Sequence, residues 1–509
     1  MNLQEALQQY FGYKNFREGQ KEILEYLQEK KDVLGILPTG TGKSVCYQLP
    51  ALMNEGLVVV ISPLISLMID QVREMKEFGY KRVASINSMI SYQEKQVVLS
   101  NLKKLDLLYC SPEMLQSVTF LNLLKQVPIQ LIAIDEAHCI SQWGHEFRMD
   151  YQRIRPVLEF LDHPQVLALS ATAMPRVQEE IKGLLGRPRM TSAVFPMDRP
   201  NITIVVEQVQ TRKEKIEQIK EVVNNHSKST MIYFSSRNEA ERVAVLLENE
   251  LPNKKIAYYH GGLESNERIL IQQQFMKNQL DIICCTNAFG MGINKPDIRL
   301  VIHFHPPGNM ESYIQEIGRA GRDGEQAVSL LFYSENDERI PKYLIDSEIM
   351  DETSLLHAIT LLKKDIFLRE NLPVDEEIIE ILQISEVHWR FLKFHLEKHD
   401  MIENRKQLSE LEWDQIYVFL KELIYTRKNY KSEKLQEFLE WIKNNECRRM
   451  SLYKHFQQKI QFVENKYCCD YCGFSFDHWH EPAKNSATIK EWDWKLELKT
   501  IFHIEGQHE

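Results

Sequence analysis

The 509-residue chain has no apolar run near the ~20 residues that a membrane span requires. Its opening stretch, MNLQEALQQYFGY, lacks the basic-then-apolar character of a secretory signal. Both absences set the expectation of a cytoplasmic protein with no membrane partner. Internal repeats and low-complexity tracts are missing too, which argues against a solenoid or a linker-rich chain. Positive charge is not in excess: 62 Lys and Arg face 72 Asp and Glu, a formal −10. Net charge therefore does not point to a polyanion partner, and any nucleic-acid site must be a local basic patch. Of nine cysteines, Cys46, Cys110, Cys139, Cys284 and Cys285 lie in or beside apolar segments and read as reduced core thiols. Cys447, Cys468, Cys469 and Cys472 cluster late and need a different explanation.

What is present is an ordinary globular composition, 43% hydrophobic and 26% charged, with room for about three domains at ~150 residues each. The most informative stretch is residues 32–47, DVLGILPTGTGKSVCY. Residues 33–37 read as a buried strand that Pro38 ends, and a helix is expected from about Lys43. Between them, Gly40 and Gly42 let successive backbone N–H groups of Thr39, Gly40, Thr41 and Gly42 point at one centre. Those donors, the helix N-terminus and the Lys43 ammonium suit the β- and γ-phosphates of a nucleotide. Ser44 is placed to ligate Mg²⁺. The strict phosphate-loop pattern wants Gly at position 37, where Leu stands, so a plain glycine turn before a helix would look similar.

Short apolar strands follow at 57–62, 105–110, 131–136 and 166–171, separated by helix-length segments. That alternation predicts an α/β fold with a doubly wound parallel sheet. Ligand sites in such sheets lie at the carboxyl ends of strands, where SPLIS, SPEM, DEAH and SAT fall. Residues 187–201 hold three prolines and read as a linker. The strand pattern then restarts at 230–235, 256–261, 281–286, 300–305 and 327–333 without a phosphate loop, which suggests a nucleotide held between two lobes. From about 345 to 445 the chain turns helical and nearly glycine-free. Its 374–402 stretch fits a helix-turn-helix or winged-helix unit, or equally a plain helical linker.

Several side chains carry chemistry. Asp135 and Glu136 of DEAH follow a strand directly; Asp135 is assigned to Mg²⁺ and Glu136 to the water that attacks the γ-phosphate. Ser170 and Thr172 of SAT fit a relay or a simple turn. In QEIGRAGRDG, Arg322 is the expected finger onto the γ-phosphate, supported by Arg319. Trp143, His145, Phe147 and Arg148 interleave aromatics with a cation on one loop, a surface suited to single-stranded nucleic acid. Tyr13 offers a ring to stack on adenine, and Gln20 an amide for its edge, with Arg17 between them.

Taken together, FGYKNFREGQ, LPTGTGKSVCYQLPA, SPLISLMIDQV, DEAHCISQWGHEFR, LSATA, TNAFGMGINKPDIR and YIQEIGRAGRDG resemble the RecQ family of superfamily-two DNA helicases over residues 1 to about 340. The resemblance implies two RecA-like lobes and ATP-driven 3′–5′ unwinding of duplex DNA in recombination, replication and repair. It also implies roles for Tyr13, Arg17 and Gln20 at adenine, and for Thr286 and Asn287 near DNA or the lobe interface. Glu18 stands where the family usually has proline. The expected partners are single-stranded and tailed or forked duplex DNA, with a single-stranded-DNA-binding protein as a candidate, and the expected state is a monomer.

The family also carries a zinc module, one Cys before two arginines and three more ending in Cys-Asp-x-Cys. This resembles Cys447-Arg448-Arg449 and Cys468-Cys469-Asp470-Tyr471-Cys472, which implies a four-thiolate Zn²⁺ site. Cys468 directly adjoins Cys469, and neighbouring side chains on an extended strand point apart. Joint ligation therefore needs a sharp turn, with His478 or His480 as the reserve ligand. The expected domains are lobe 1 at 1–190, lobe 2 at 191–345, the helical region at 346–445, the zinc module at 446–480 and an unassigned tail at 481–509. The resemblance stops short of the winged-helix and C-terminal nucleic-acid-binding domains that often follow in the family.

Overall fold

A computed structural model describes residues 2–141, 148–226, 229–290, 295–364, 366, 373–398, 408–456 and 464–479. The strand heading the phosphate loop forms as β1 (Val33–Ile36), buried throughout. It joins β2 (Leu57–Ile61), β3 (Val83–Ile86), β4 (Leu107–Cys110), β5 (Ile129–Ile134), β6 (Val166–Ser170) and β7 (Thr191–Val194). Their order is β3-β4-β2-β5-β6-β1-β7, with every pair parallel. Crossover helices cover both faces of such a sheet, so its strands are continuous apolar runs. Alternate residues feed two cores: Leu34 and Ile36 enter one, Val33 and Leu37 the other.

The stretch 187–201 is not the bare linker its prolines suggest. β7 pairs with β1 from Val33 opposite Thr191 to Ile36 opposite Val194, so the boundary expected at residue 190 falls inside the first lobe's sheet. Pro188 and Pro196 bracket this strand without entering it, which is how an edge strand tolerates proline. The true crossing between lobes is the short segment 195–201.

The second lobe contains β8 (Ile202–Gln208), β9 (Thr230–Tyr233), β10 (Ile256–Tyr259), β11 (Ile282–Cys285), β12 (Leu300–His303) and β13 (Ala327–Tyr333). Its order is β10-β11-β9-β12-β13-β8, again all parallel. β8 would be an open edge. It is covered by the cysteine module, where Cys469 makes a parallel bridge to Ile204 and the Thr203 hydroxyl donates to the Tyr467 carbonyl at 2.8 Å.

Between β13 and that module lies the helical region. Helices Asp375–Leu382 and Glu386–Lys398 are joined by a tight turn through Gln383, at φ 52°. This is a helix-turn-helix, with no strand beside it among the described residues. The 34-residue helix Glu410–Lys443 starts from a Ser409/Glu412 capping box and runs back along the second lobe. Phe438 and Trp441 stack 5.4 Å apart at 11° on this helix, and both rings meet Tyr313 of the helix Met310–Ile317. Among the described residues no helix is long and apolar enough to cross a membrane.

Trp441 also donates its indole N–H to the Arg448 carbonyl at 3.1 Å, so it ties the long helix to the cysteine module as well as to the lobe. W441A is expected to cost about 3–5 kcal/mol at this junction. Hydrogen exchange should accelerate across Glu410–Lys443 and Met310–Ile317 while β1–β6 stay protected; unchanged exchange in the long helix would contradict the assignment.

Candidate active site

The loop after β1 is shaped by Gly40 and Gly42, at φ 84° and 71°. Left-handed backbone at two positions in three residues is sterically open to glycine and costly for most others. The helix that follows begins at Val45. Among the described residues, the N–H groups of Gly42, Lys43 and Ser44 meet no hydrogen-bond acceptor. They remain available to an anion at the helix N-terminus.

Asp135 and Glu136 arrive from β5, two strands from β1 in the sheet. The Asp135 N–H still donates to the Ile61 carbonyl at 2.9 Å, continuing the ladder. Glu136 then turns left-handed, φ 48° and ψ 49°, a conformation costing roughly 1–3 kcal/mol for a non-glycine residue. The turn aims its carboxylate at Lys43, 3.4 Å away. Burial, then the Glu136 charge, push the Asp135 carboxyl up to about 6, against the pull of Lys43. A cation between these carboxylates would oppose that shift. His138 Nδ1 lies 2.9 Å from Ser170 Oγ and 3.5 Å from Glu136 Oε2. It links the acid to the strand end of SAT.

Gln20 is fully engaged by the loop itself: its amide donates to the Thr41 and Gly42 carbonyls at 2.7 and 2.9 Å and accepts from the Arg17 N–H at 2.9 Å. The Arg17 guanidinium donates to the Gly40 carbonyl. Tyr13 is half exposed and stacks on Phe11 at 6.3 Å. Arg17 and Gln20 therefore sit on the loop, with Gln20 shaping its backbone.

The arginine motif of the second lobe packs directly on this loop. A Cβ built on Gly318 would stand 1.8 Å from Thr39 Oγ1, and one on Gly40 would stand 3.0 Å from Arg322 Cγ. Arg322 keeps part of its surface open, yet the protein packed around it, then Arg319 and Arg199, push its guanidinium down to about 9. It stays cationic at neutral pH. Arg319 lies behind it, buried, and donates to the Gly290 carbonyl within the second lobe. Away from this contact, Gln272 donates to Asp70 of the first lobe at 2.6 Å.

Trp143, His145 and Phe147 lie outside the described residues. Arg148, at the end of that loop, turns inward: its guanidinium donates to the Pro63 carbonyl at 2.7 Å and its N–H to the Cys139 carbonyl at 2.9 Å. Thr286 is buried and its N–H donates to the Tyr259 carbonyl, while Asn287 is exposed at the end of β11.

The sulfurs of Cys447, Cys468, Cys469 and Cys472 all lie within 4.8 Å of one another. Cys447 to Cys468 is 3.6 Å and Cys447 to Cys469 is 3.9 Å. A tetrahedral ion with ~2.3 Å metal–sulfur bonds needs edges of roughly 3.8 Å, so the set fits. The turn that adjacent cysteines require is present: Cys468 ends a helix, and Cys469 is extended at φ −165°. The hydrogen bond with Cys468 is the main cause pulling the Cys469 thiol below its usual value. The side chains of His478 and His480 lie outside the described residues.

Two participants escaped the sequence reading. His138 was hidden within DEAH as a neighbour of the acids. Arg199 sits in the proline-bracketed crossing, where a cation beside Pro200 was the available signal.

Comparison with known proteins accords with this geometry. The family model for DEAD/DEAH box helicases matches residues 17–181, and that for the helicase conserved C-terminal domain matches 214–324. The chain is 39% identical over 504 residues to "Probable ATP-dependent DNA helicase RecS" of Bacillus subtilis (strain 168), covering 99% of this chain and 98% of the relative. It is 41% identical over 353 residues to the ATP-dependent DNA helicase RecQ of the same strain, covering 69% of this chain and 59% of that one. The chain belongs to the RecQ family of ATP-dependent DNA helicases. Its fold is also that of a Mycobacterium smegmatis helicase, Lhr, solved with single-stranded DNA and AMP-PNP. That match has a TM-score of 0.56 at 21% identity, over 74% of this chain and 55% of the other. Relative to RecQ of the same strain, this RecQ-family chain spans about three-fifths of the length.

Gly318 gives this RecQ-family site a direct test. G318A must push Thr39 aside or hold the lobes apart, so turnover should fall ~10- to 100-fold by misplacing Arg322. Binding of a fluorescent ATP analogue, which needs the first lobe's loop, should stay close to wild type. Normal turnover in G318A would show that this lobe contact is not the working geometry.

Proposed function

We propose that the cleft hydrolyses ATP to drive 3′–5′ translocation on single-stranded DNA, and that this unwinds tailed or forked duplexes. The observation that carries the reading is the seating of the second lobe's arginine motif on the first lobe's phosphate loop, Gly318 against Thr39 and Arg322 against Gly40. A phosphate chain entering there meets the N–H groups of Gly42, Lys43 and Ser44 and exchanges with Glu136 for the Lys43 ammonium. Thr39, Gly40 and Thr41 complete the cradle, and Arg17, Gln20 and Tyr13 flank it toward the base. Ser44 and Asp135 would hold Mg²⁺, which neutralises phosphate charge. Glu136, released from Lys43, orients and deprotonates the attacking water, and Arg322 faces the γ-phosphate with Arg319 behind it.

Trp143, His145, Phe147 and Arg148 are proposed as the strand-sensing loop, with Thr286 and Asn287 on the second lobe. The four cysteines would hold Zn²⁺ as a closed structural site. A cytoplasmic monomer working in recombination, replication and repair, alongside a single-stranded-DNA-binding protein, fits this reading.

Strand displacement on a 3′-tailed duplex, with ATP against a non-hydrolysable analogue, is the deciding experiment. K43A should lose hydrolysis and unwinding, and E136Q should bind nucleotide without turning it over, because an amide cannot take the water's proton. Unwinding of 5′-tailed substrates alone would reverse the polarity, and stimulation by RNA but not DNA would replace the substrate class. For the metal, C468S is expected to release zinc and expose β8 to hydrogen exchange, since structural zinc contributes on the order of 10 kcal/mol in small modules. Full zinc occupancy in C468S, with loss in H478A or H480A, would transfer the fourth ligand to histidine.

A further inference from the structure

We infer that Arg199, in the crossing between the lobes, is a positioning residue that sets where the arginine motif meets the phosphate loop, and that the cysteine module holds Arg199 in place. This rests on the cleft being the ATP site. Arg199 Nη1 donates to the Thr39 carbonyl at 3.0 Å and the Gly318 carbonyl at 3.3 Å. Its Nη2 donates to the Gly321 carbonyl at 2.6 Å and the Ala320 carbonyl at 3.4 Å. One guanidinium thus ties lobe 1's loop to three carbonyls surrounding Arg319 and leading into Arg322. A planar fork of donors can do this; a single ammonium cannot span both sets with the same geometry. Asn201 reinforces the lobe 2 side, donating to the Gly321 and Glu325 carbonyls, each at 2.8 Å.

The backbone around Arg199 is pinned in turn from the cysteine module. Arg449, two residues after Cys447, donates to the Arg199 carbonyl at 3.1 Å. It also pairs with Asp198 and donates to the Ile202 carbonyl. The Arg449 and Asp198 side chains are 2% and 0% exposed. A buried pair of this kind adds little net stability over apolar packing but punishes the loss of either partner, so its effect is to fix position. Asp198, Arg199 and Ile202 are therefore held on one side by the module. Arg199 reaches from that anchor into the cleft on the other.

Because Arg199 donates to carbonyls of both lobes, its removal should move catalytic geometry more than nucleotide affinity. In the full-length protein with saturating single-stranded DNA, R199A is expected to lower kcat ~10- to 100-fold. Affinity for a fluorescent ATP analogue should change by no more than about 3-fold, the pattern of a lost transition-state interaction. Millimolar guanidinium ion should restore part of the turnover of R199A and none of K43A, and R199K should fall between wild type and R199A. R449K keeps the charge opposite Asp198 but loses the fork onto Arg199 and Ile202, and should show a smaller loss of kcat with zinc content intact. Unchanged kcat in R199A, a parallel loss of affinity and kcat, or absence of guanidinium rescue would overturn the positioning role. Wild-type kcat in R449K would overturn the link to the module. If K43A itself still binds and hydrolyses ATP, the cleft reading fails independently of Arg199.

Discussion

Like charges converge on a single glycine. Around Gly40 stand Arg199 and Arg322, each with an atom 3.0 Å from where a Cβ would be, and Arg17, bonded to the Gly40 carbonyl. Lys43 lies three residues on, paired with Glu136. Burial is the main reason the guanidinium of Arg199 is pulled below its usual value, with Arg17 adding to the effect. Two unit charges 4 Å apart repel by about 1 kcal/mol in water and about 4 kcal/mol at the effective dielectric of a protein surface. The carbonyls that hold Arg17 and Arg199 carry only partial charge, and Glu136, Asp198 and Asp323 offset part of the positive excess. A polyphosphate is its natural complement.

The acids of the cleft are also tied to the loop between Cys139 and Arg148. That loop leaves the Asp135–Glu136 strand end at Cys139 and returns at Arg148, whose N–H donates to the Cys139 carbonyl. Tyr151, just beyond, donates its hydroxyl to the Asp135 carbonyl at 3.1 Å. Both ends of the loop are thus moored to the acids that face the nucleotide. The Tyr151 hydroxyl reaches the Asp135 backbone directly, and the Cys139 N–H donates to the Glu136 carbonyl at 2.9 Å, so both acids share backbone contacts with the ends of the loop.

The two-lobed α/β architecture was legible because parallel strands buried on both faces leave unbroken apolar runs, as in residues 57–61 and 282–285. β3, β7 and β8 were not: the burial of β3 and β7 is mixed, prolines flanking 191–194 look like a linker when only composition is weighed, and β8 follows directly on that stretch. Lys43, Asp135, Glu136 and Arg322 could be placed from spacing, since each sits within a residue or two of a strand end or glycine turn. The partner of Gln20 could not, because an amide that suits adenine suits a carbonyl of the neighbouring loop equally well. Arg199 was invisible for a related reason: its function lies in contacts to backbone atoms of residues over 100 positions away in sequence, and backbone acceptors leave no residue-type signature. The adjacent cysteines were ambiguous until the helix end at Cys468 supplied the turn between them.

The helical region makes a further connection between the lobes, and its two ends differ in strength. On the second lobe it is fastened by the buried Tyr313, Phe438 and Trp441 rings, aromatic contacts that contribute ~0.5–1.5 kcal/mol per pair beyond their area burial. On the first lobe the helix Glu386–Lys398 is held by an Arg153–Glu397 pair and by Arg153 lying 5.6 Å over the Phe394 ring. Both partners of that ion pair are partly exposed, at 34% and 22%, and such pairs are worth ~0–1 kcal/mol. The helix-turn-helix thus meets the first lobe at Arg153, five residues beyond Arg148, and lies beside the point where the loop from Cys139 returns.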